Sequence, residues 1–185
     1  MNMLASRAQL RASFLRWALF LVPLCLLLGF VSATVGPGAE TAWFKSLVKP
    51  DIFPEPKWFG IVWTVLYVMI GLATAMIAAA WGARGRVAAL WLFAIHFALN
   101  LAWTPVFFGL QEMTVALGVV VALIITLLLL IHRFWSIRKA AGLLLLPYLG
   151  WACFAAWLNY EFVRLNPEGG NFNAGEAVER VRIGD

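Results

Sequence analysis

The sequence predicts an all-α membrane protein, a five-transmembrane-helix bundle with one long loop between helices 1 and 2. Hydrophobic residues make up 63% of the chain and only 12% of the residues are charged, whereas soluble domains average about 25% charged residues. Five stretches lack Lys, Arg, Asp and Glu and are long enough for a membrane-crossing helix, which needs roughly 20 residues. Only the link between the first two stretches is long, and it is rich in prolines and aromatic residues.

The five predicted spans are Trp17 to Ala39, Trp58 to Ala83, Val87 to Leu110, Met113 to Ile131, and Ala140 to Tyr160. Short links between the last four spans force consecutive helices to run antiparallel. Unbroken apolar runs of this length do not fit a β-barrel, whose strands are alternating segments of about ten residues. The first run could instead be a signal peptide, because it follows an Arg-rich start. Its length and the proline at its centre, Pro23, favour a membrane span.

The basic residues divide unequally between the two ends of the bundle. The end with the N-terminus and the links after spans two and four carries eight basic residues and no acidic residue: Arg7, Arg11, Arg16, Arg84, Arg86, Arg133, Arg138 and Lys139. The other six basic residues lie at the opposite end together with all nine acidic residues. The positive-inside rule therefore predicts a cytoplasmic N-terminus and an external C-terminus. The net charge of +5 is interpreted as a topology signal, and no nucleic-acid partner is expected.

The chain offers no recognisable catalytic or metal-binding set of residues. Cys25 and Cys153 lie in apolar runs without a CxxC pair, and the predicted spans contain no charged side chain. His96 is the one histidine within a span, and hydrogen bonding between helices is the simpler interpretation of it. His132 is predicted to lie in a solvated basic turn, His132–Lys139. We therefore expect no catalytic residues, no metal and no required cofactor.

The sequence also predicts two parts of the chain, a membrane domain over residues 1–165 and a polar, flexible tail over residues 166–185. Two helix faces within the domain are candidate groove walls. The third-span face comprises His96, Asn100, Trp103 and Phe107. The fifth-span face comprises Pro147, Trp151, Ala155 and Asn159. Pro105 should distort the end of the third span and open space beside it. Both faces could alternatively serve helix packing alone.

Small residues recur at four-residue intervals on two spans, a pattern that allows close helix contact. The second-span ladder is Gly71, Ala75 and Ala79, and the third-span ladder is Ala94, Ala98 and Ala102. Either ladder could be internal or could form a dimer interface. The third-span ladder, together with the family resemblance below, predicts a homodimer through the third span.

Four stretches, in order and spread over the spans, resemble the TspO/translocator protein family, also called tryptophan-rich sensory proteins or peripheral-type benzodiazepine receptors. They are WFKSLVKP followed by Pro54, VWTVLY, ALNLAWTPVFFG and LPYLGWACFAAWLNYEFVRLN. The resemblance extends from Trp43 to Asn166. The chain departs from the usual pattern at Glu55 and Ile61, where the family commonly has proline, and at Trp157, where a smaller residue is expected.

The resemblance implies a membrane receptor or sensor that binds tetrapyrroles (protoporphyrin or heme) or sterol-like ligands and acts in stress responses or tetrapyrrole homeostasis. The ligand would lie inside the bundle under the first loop, whose aromatic side chains supply stacking area. The implied ligand-binding positions are Phe44, Pro54, Trp63, Tyr67, Asn100, Trp103, Trp151 and Ala155. None of these is a strong axial metal ligand, so free porphyrin is at least as well suited as heme.

Two other functions remain open at the level of sequence. A porphyrin or sterol transporter is disfavoured because the spans lack charges and no internal repeat is evident. A photo-oxidative porphyrin-degrading enzyme would use a tryptophan such as Trp63 or Trp151 as redox partner. Leu158, Tyr160 and Arg164 match a proposed cholesterol motif, but an interfacial Tyr and a snorkelling Arg explain them equally well.

Overall fold

The computed structural model describes residues 7–35, 38–167 and 169. These residues form helices and connecting turns, and no strand occurs among them. The helices are α1 (Arg7–Thr34), α2 (Ala42–Ser46), α3 (Pro56–Ala78), α4 (Arg86–Thr104), α5 (Met113–Ile137), α6 (Lys139–Leu144) and α7 (Leu146–Leu165). Five helical segments of this part are long and apolar enough to cross a membrane, with α6 and α7 together forming the fifth. The predicted multi-pass, five-helix bundle is therefore confirmed.

The spans form a ring whose order differs from their order in the chain. α1 packs between α3 and α4, and α5 packs between α4 and the fifth span. The ring closes where α6 contacts α3. A core of buried apolar side chains that includes Ile70, Leu127 and Tyr148 fills the half of the bundle near α6. The half of the bundle that faces the first loop is less completely filled, and the candidate site lies there.

Prolines shape the ends of the spans near this site. Pro105 cannot donate a backbone hydrogen bond, and α4 is followed there by a widened π-helical turn, Pro105–Gly109. The amide of Leu110 donates to the Pro105 carbonyl at 2.9 Å, the five-residue spacing of a π-helix. Pro147 lies in the first turn of α7, directly after the interruption at Leu145. The distortion predicted for Pro105 is confirmed.

Some predicted boundaries were wrong. α1 begins at Arg7, ten residues before the predicted span, and its 28 residues measure about 42 Å against a hydrocarbon core of about 30 Å. Its first turns therefore extend beyond the apolar layer, and the Arg11 side chain there is exposed. α5 continues through the predicted His132–Lys139 turn to Ile137 because Phe134 is fully buried in the core. His132 itself is exposed on this helical extension.

The end of α3 also differs from the prediction, which placed it at Ala83. Arg86, from the start of α4, donates from Nε and Nη2 to the carbonyl oxygen of Ala78 at 3.0 and 2.7 Å. Its guanidinium group also lies 4.0 Å from the centroid of the Trp81 ring. A cation at a helix C-terminus satisfies free carbonyls and interacts favourably with the helix dipole. This contact fixes the turn between α3 and α4.

The two small-residue ladders have different surroundings. Gly71 and Ala75 are buried against α1, and a Cβ atom placed on Gly71 would lie 2.7 Å from the Val22 Cα. This ladder therefore forms an internal contact between the first two spans. Ala94 and Ala98 on α4 are exposed on the surface of the protomer.

Ala94 and Ala98 of the α4 ladder are exposed and available for contact with a second copy of the chain, so the homodimer stays a prediction. We expect Ala98→Phe to weaken self-association in mild detergent, because a phenyl ring prevents the close approach that alanines allow. The matched control is Gly118→Phe on α5, where a new side chain meets open space. Light-scattering mass measures the effect. An Ala98→Phe variant that keeps the dimer mass would place the interface elsewhere.

The distribution of basic residues predicts the orientation of the bundle. A reporter inserted at Gly85 should be cytoplasmic, and a reporter fused to the C-terminus should be external, because five spans place these positions on opposite sides. Gly85 lies in the turn between α3 and α4, and a Cβ atom placed there would meet no atom within 4 Å. Alkaline phosphatase and fluorescent-protein fusions measure both positions. Reversal of both signals would contradict the assignment from charge, and signals on one side would contradict five spans.

Candidate functional site

The described part of the first loop, residues 38–55, folds over the open end of the bundle as a helical cap. Its short helix α2 is capped at the N-terminus by Thr41, whose Oγ1 accepts a hydrogen bond from the Phe44 amide at 3.1 Å. Trp43 and Phe44 on α2 are 2% and 4% exposed, although they belong to a loop. The Phe44 ring contacts Phe108 and Phe162, with centroid distances of 5.2 and 5.7 Å. Aromatic packing thus holds the cap on α7 and on the turn after α4.

Hydrogen bonds from the end of the fifth span fasten the cap. The Asn166 side chain accepts from the Val48 amide at 2.7 Å and donates to the Val48 carbonyl at 2.9 Å. The Trp43 indole donates to the Gly169 carbonyl at 2.6 Å. Asn166 and Gly169 belong to the stretch predicted as a flexible tail, yet both hold the loop. Residue 168 and residues 170–185 of that predicted tail lie outside the described residues.

A cavity of about 330 Å³ lies beneath the cap, between α1, α3, α4, α5 and α7. Of the eight ligand-binding positions implied by the resemblance, the cavity wall includes Phe44, Trp63, Tyr67, Asn100, Trp103, Trp151 and Ala155. Pro54 is not part of the wall, whereas Pro56, the first residue of α3, is. Pro54 lies in the loop two residues before α3 begins, between Phe53, which lines the cavity, and Glu55.

A hydrogen-bonded chain crosses the deep end of the cavity. The Tyr67 hydroxyl donates to Asn100 Oδ1 at 3.0 Å, and Asn100 Nδ2 donates to the Tyr148 hydroxyl at 2.8 Å. These three residues come from α3, α4 and the fifth span. An amide has two donors and can accept twice at its oxygen, so Asn100 keeps one N–H and one lone pair for a further partner. The chain fixes the orientation of the amide at the cavity wall.

A second polar link lies nearer the cap. The Trp103 indole donates to Asn159 Oδ1 at 3.1 Å, and Asn159 Nδ2 donates to the Met113 carbonyl at 2.9 Å. α4, α5 and α7 are joined by these two bonds. Because consecutive spans are antiparallel, the third and fifth spans run in the same direction, and Trp103 and Asn159 are predicted to lie at the same depth. The hydrogen bond between these two side chains confirms this.

Aromatic rings form most of the remaining wall. Trp63 stacks on Tyr67 with a centroid distance of 5.3 Å and meets the edge of Tyr148 at 6.1 Å. Trp151 meets Phe59 at 5.8 Å. The described part of the wall contains no carboxylate, amine, thiol or imidazole group. Such a wall offers stacking area and a few neutral hydrogen-bonding groups, which suits a flat and largely apolar molecule.

Several wall residues carried no clear signal in the sequence. Gly29 and Ala33 of α1 line the cavity, but small residues in an apolar span give no indication of function. Phe53 and Phe59 flank the predicted loop position Pro54 and were not distinguished from interfacial anchors. Tyr148 lies one position beside the predicted face of the fifth span and behind the wall, where it contacts the site through its hydrogen bond to Asn100 and its ring contact with Trp63.

His96 supports the scaffold and does not reach the cavity. It is 1% exposed, and its Nδ1 lies 3.0 Å from the Thr126 hydroxyl of α5. Its ring also meets the edge of Tyr148 at 5.5 Å. The contact between His96 and Thr126 is the hydrogen bond between helices that the sequence favours for His96. His96 therefore holds α4 against α5, one turn below Asn100.

The residues of the proposed cholesterol motif point in different directions. Leu158 is buried and lines the cavity, whereas Tyr160 is exposed. Arg164 is exposed and forms an ion pair with Glu161 at 2.6 Å. Trp157, the bulky departure from the family pattern, stacks on Phe154 at the surface and does not narrow the cavity.

The fold and the site define a multi-pass membrane protein with an internal aromatic cavity under a fastened loop. Residues 21–165 match the TspO/MBR family. Over 147 residues the chain is 39% identical to the tryptophan-rich protein TspO of Chlorobaculum tepidum, with 79% of this chain and 93% of the relative covered. The tryptophan-rich sensory protein of Cereibacter sphaeroides is 37% identical, with coverages of 81% and 92%. The bovine translocator protein is also 37% identical, with coverages of 71% and 79%. The chain belongs to the TspO/MBR family, a membership that supports a membrane sensor or translocator role.

Proposed function

We propose that this protein is a membrane receptor that binds a tetrapyrrole such as protoporphyrin in the capped cavity and serves as a sensor in tetrapyrrole homeostasis or stress. The observation that carries the proposal is the cavity wall itself, in which tryptophan, tyrosine and phenylalanine rings surround two hydrogen-bonded amides, Asn100 and Asn159. Planar π-systems stack favourably on aromatic side chains. The described wall contains no charged side chain, so the macrocycle would stack in the aromatic part of the cavity while its propionate groups lie outside that part.

The volume of the cavity bears on how such a ligand binds. About 330 Å³ lies at the lower end of the roughly 300–1,000 Å³ typical of small-molecule sites. A macrocycle therefore requires the cap to move outward, which strains the contacts of Val48 with Asn166. The cap is then the element through which binding changes the external surface, as a sensor requires.

The donor set of the wall favours free porphyrin over axially ligated heme. Histidine, cysteine, methionine and tyrosine are the usual axial ligands of heme iron. Tyr67 is the one such side chain in the described wall, and its hydroxyl is already bonded to Asn100. His96 lies behind Tyr148 and outside the cavity. Selectivity for protoporphyrin over heme is the expected result.

Titration of the purified protein with protoporphyrin, followed by tryptophan quenching, tests the proposal. Trp63→Leu should lower the affinity several-fold, since loss of one stacking partner costs on the order of 1 kcal/mol. The matched control is Trp91→Leu, because Trp91 is exposed on α4 away from the cavity. Absence of quenching in the wild type, or equal losses in the two variants, would contradict the proposal.

A further inference from the structure

A second, outward-opening groove of about 540 Å³ runs between α3 and α7 on the apolar surface of the bundle. Its walls include Ile61, Val65 and Met69 of α3 and Pro147, Gly150 and Trp151 of α7. Trp151 also lines the capped cavity. One side chain therefore belongs to the walls of both spaces.

The groove exists because α3 meets the fifth span mainly through α6, at the end of the bundle away from the cap. Towards the cap the space between α3 and α7 is left open. Gly150 lies on this opening, and a Cβ atom placed there would meet no atom within 4 Å. Ile61 and Val65 on the opposite wall are more than half exposed. In a membrane this opening faces lipid chains.

Within the described part of the chain, the Trp151 indole lacks the kind of hydrogen bond that fixes the Trp43 and Trp103 indoles. Its indole nitrogen is buried and has no hydrogen-bond partner among the described residues. Trp43 and Trp103, by contrast, donate to the Gly169 carbonyl and to Asn159. Trp151 is kept in place by ring contacts with Phe59 and Phe154, at 5.8 and 5.3 Å. Rotation of this indole breaks no hydrogen bond.

We propose that the groove between α3 and α7 is a lateral portal through which an apolar ligand passes between the bilayer and the capped cavity, with the Trp151 side chain as its gate. A route through the cap requires the hydrogen bonds between Asn166 and Val48 to break before the ligand enters, whereas entry by the lateral route displaces only apolar contacts and leaves the cap strained but fastened. The inference rests on the proposed function for its ligand. The portal adds to the proposed function that the ligand enters the cavity from the membrane and not from water.

The test fills the portal without touching the cavity. Gly150→Phe places a ring in the groove, and Gly150 is not part of the cavity wall. We expect protoporphyrin association and dissociation to slow together by about tenfold, since a gate changes access in both directions. The dissociation constant should stay within about twofold of wild type because the bound state is unchanged. Stopped-flow tryptophan quenching of protein in lipid nanodiscs measures both rates, with Gly118→Phe as the lipid-facing control.

A second variant covers the case in which Gly150→Phe does not fold. Val65→Phe fills the groove from α3, and its control is Val121→Phe, which is similarly exposed on α5. Slowed exchange in either folded groove variant, but not in the controls, supports the portal. Unchanged association and dissociation rates in the folded groove variants would overturn the portal and assign ligand entry to the cap. The groove would then be a binding place for a lipid chain only. A wild type that does not bind protoporphyrin would instead refute the proposed function, and the portal for this ligand with it.

Discussion

Replacement of Ala155 by phenylalanine is expected to weaken protoporphyrin binding at least tenfold while the bundle stays folded. Ala155 is a half-buried residue of the cavity wall, one turn from Trp151 and Asn159 on α7. A phenyl ring at this position projects into a space of only about 330 Å³ and competes directly with a flat ligand. Tenfold corresponds to about 1.4 kcal/mol. Quenching titration measures the loss, and circular dichroism checks the helical content.

Cys153→Phe is the control for this experiment. Cys153 lies on the same helix, is exposed, and is not part of the cavity wall. The control adds nearly the same bulk to α7 on its outer surface, so its affinity should match that of the wild type. If Ala155→Phe is folded and binds as tightly as Cys153→Phe, the ligand does not occupy the capped cavity.

Gly71→Leu is expected to destabilise the bundle by about 1–3 kcal/mol or more, the usual range for overpacking. A Cβ atom on Gly71 would lie 2.7 Å from the Val22 Cα. The obstacle is backbone, which cannot move aside as the end of a flexible side chain can. α1 and α3 must therefore separate, and α1 forms part of the cavity wall through Gly29 and Ala33.

Thermal unfolding in detergent measures the effect of Gly71→Leu. Gly118→Leu on α5 makes the same chemical change at a position where a Cβ atom meets nothing within 4 Å. It should unfold close to the wild-type temperature. Equal unfolding temperatures for the two variants would show that α1 does not contact α3 as closely as described.

The spans and the main distortion could be predicted from the sequence because both depend on local properties. Apolar length determines where a helix can cross the bilayer, and a missing amide proton at Pro105 determines where its hydrogen bonding changes. The end of α5 was not predictable in this way. Burial of Phe134 against other helices extends α5 beyond the charged and polar residues that mark a turn.

The candidate site could be predicted only in part for a related reason. Asn100, Trp103 and Trp151 carry large or polar side chains on recognisable helix faces, and all three line the cavity. The fastening of the cap by Asn166 depends on a contact 118 residues apart in the chain, which no local pattern reveals. The ring order of the spans likewise depends on the fit of whole helix surfaces, as the contact of Gly71 with Val22 illustrates.

The structure of the protein with bound protoporphyrin tests the central claim most directly. The proposed function predicts macrocycle density inside the bundle, stacked near Trp63 and Trp103 beneath Phe44, with the Asn100 amide within hydrogen-bonding distance of the ligand. Density confined to the outer surface, such as the exposed α4 ladder at Ala94 and Ala98, with the capped cavity unchanged, would contradict it.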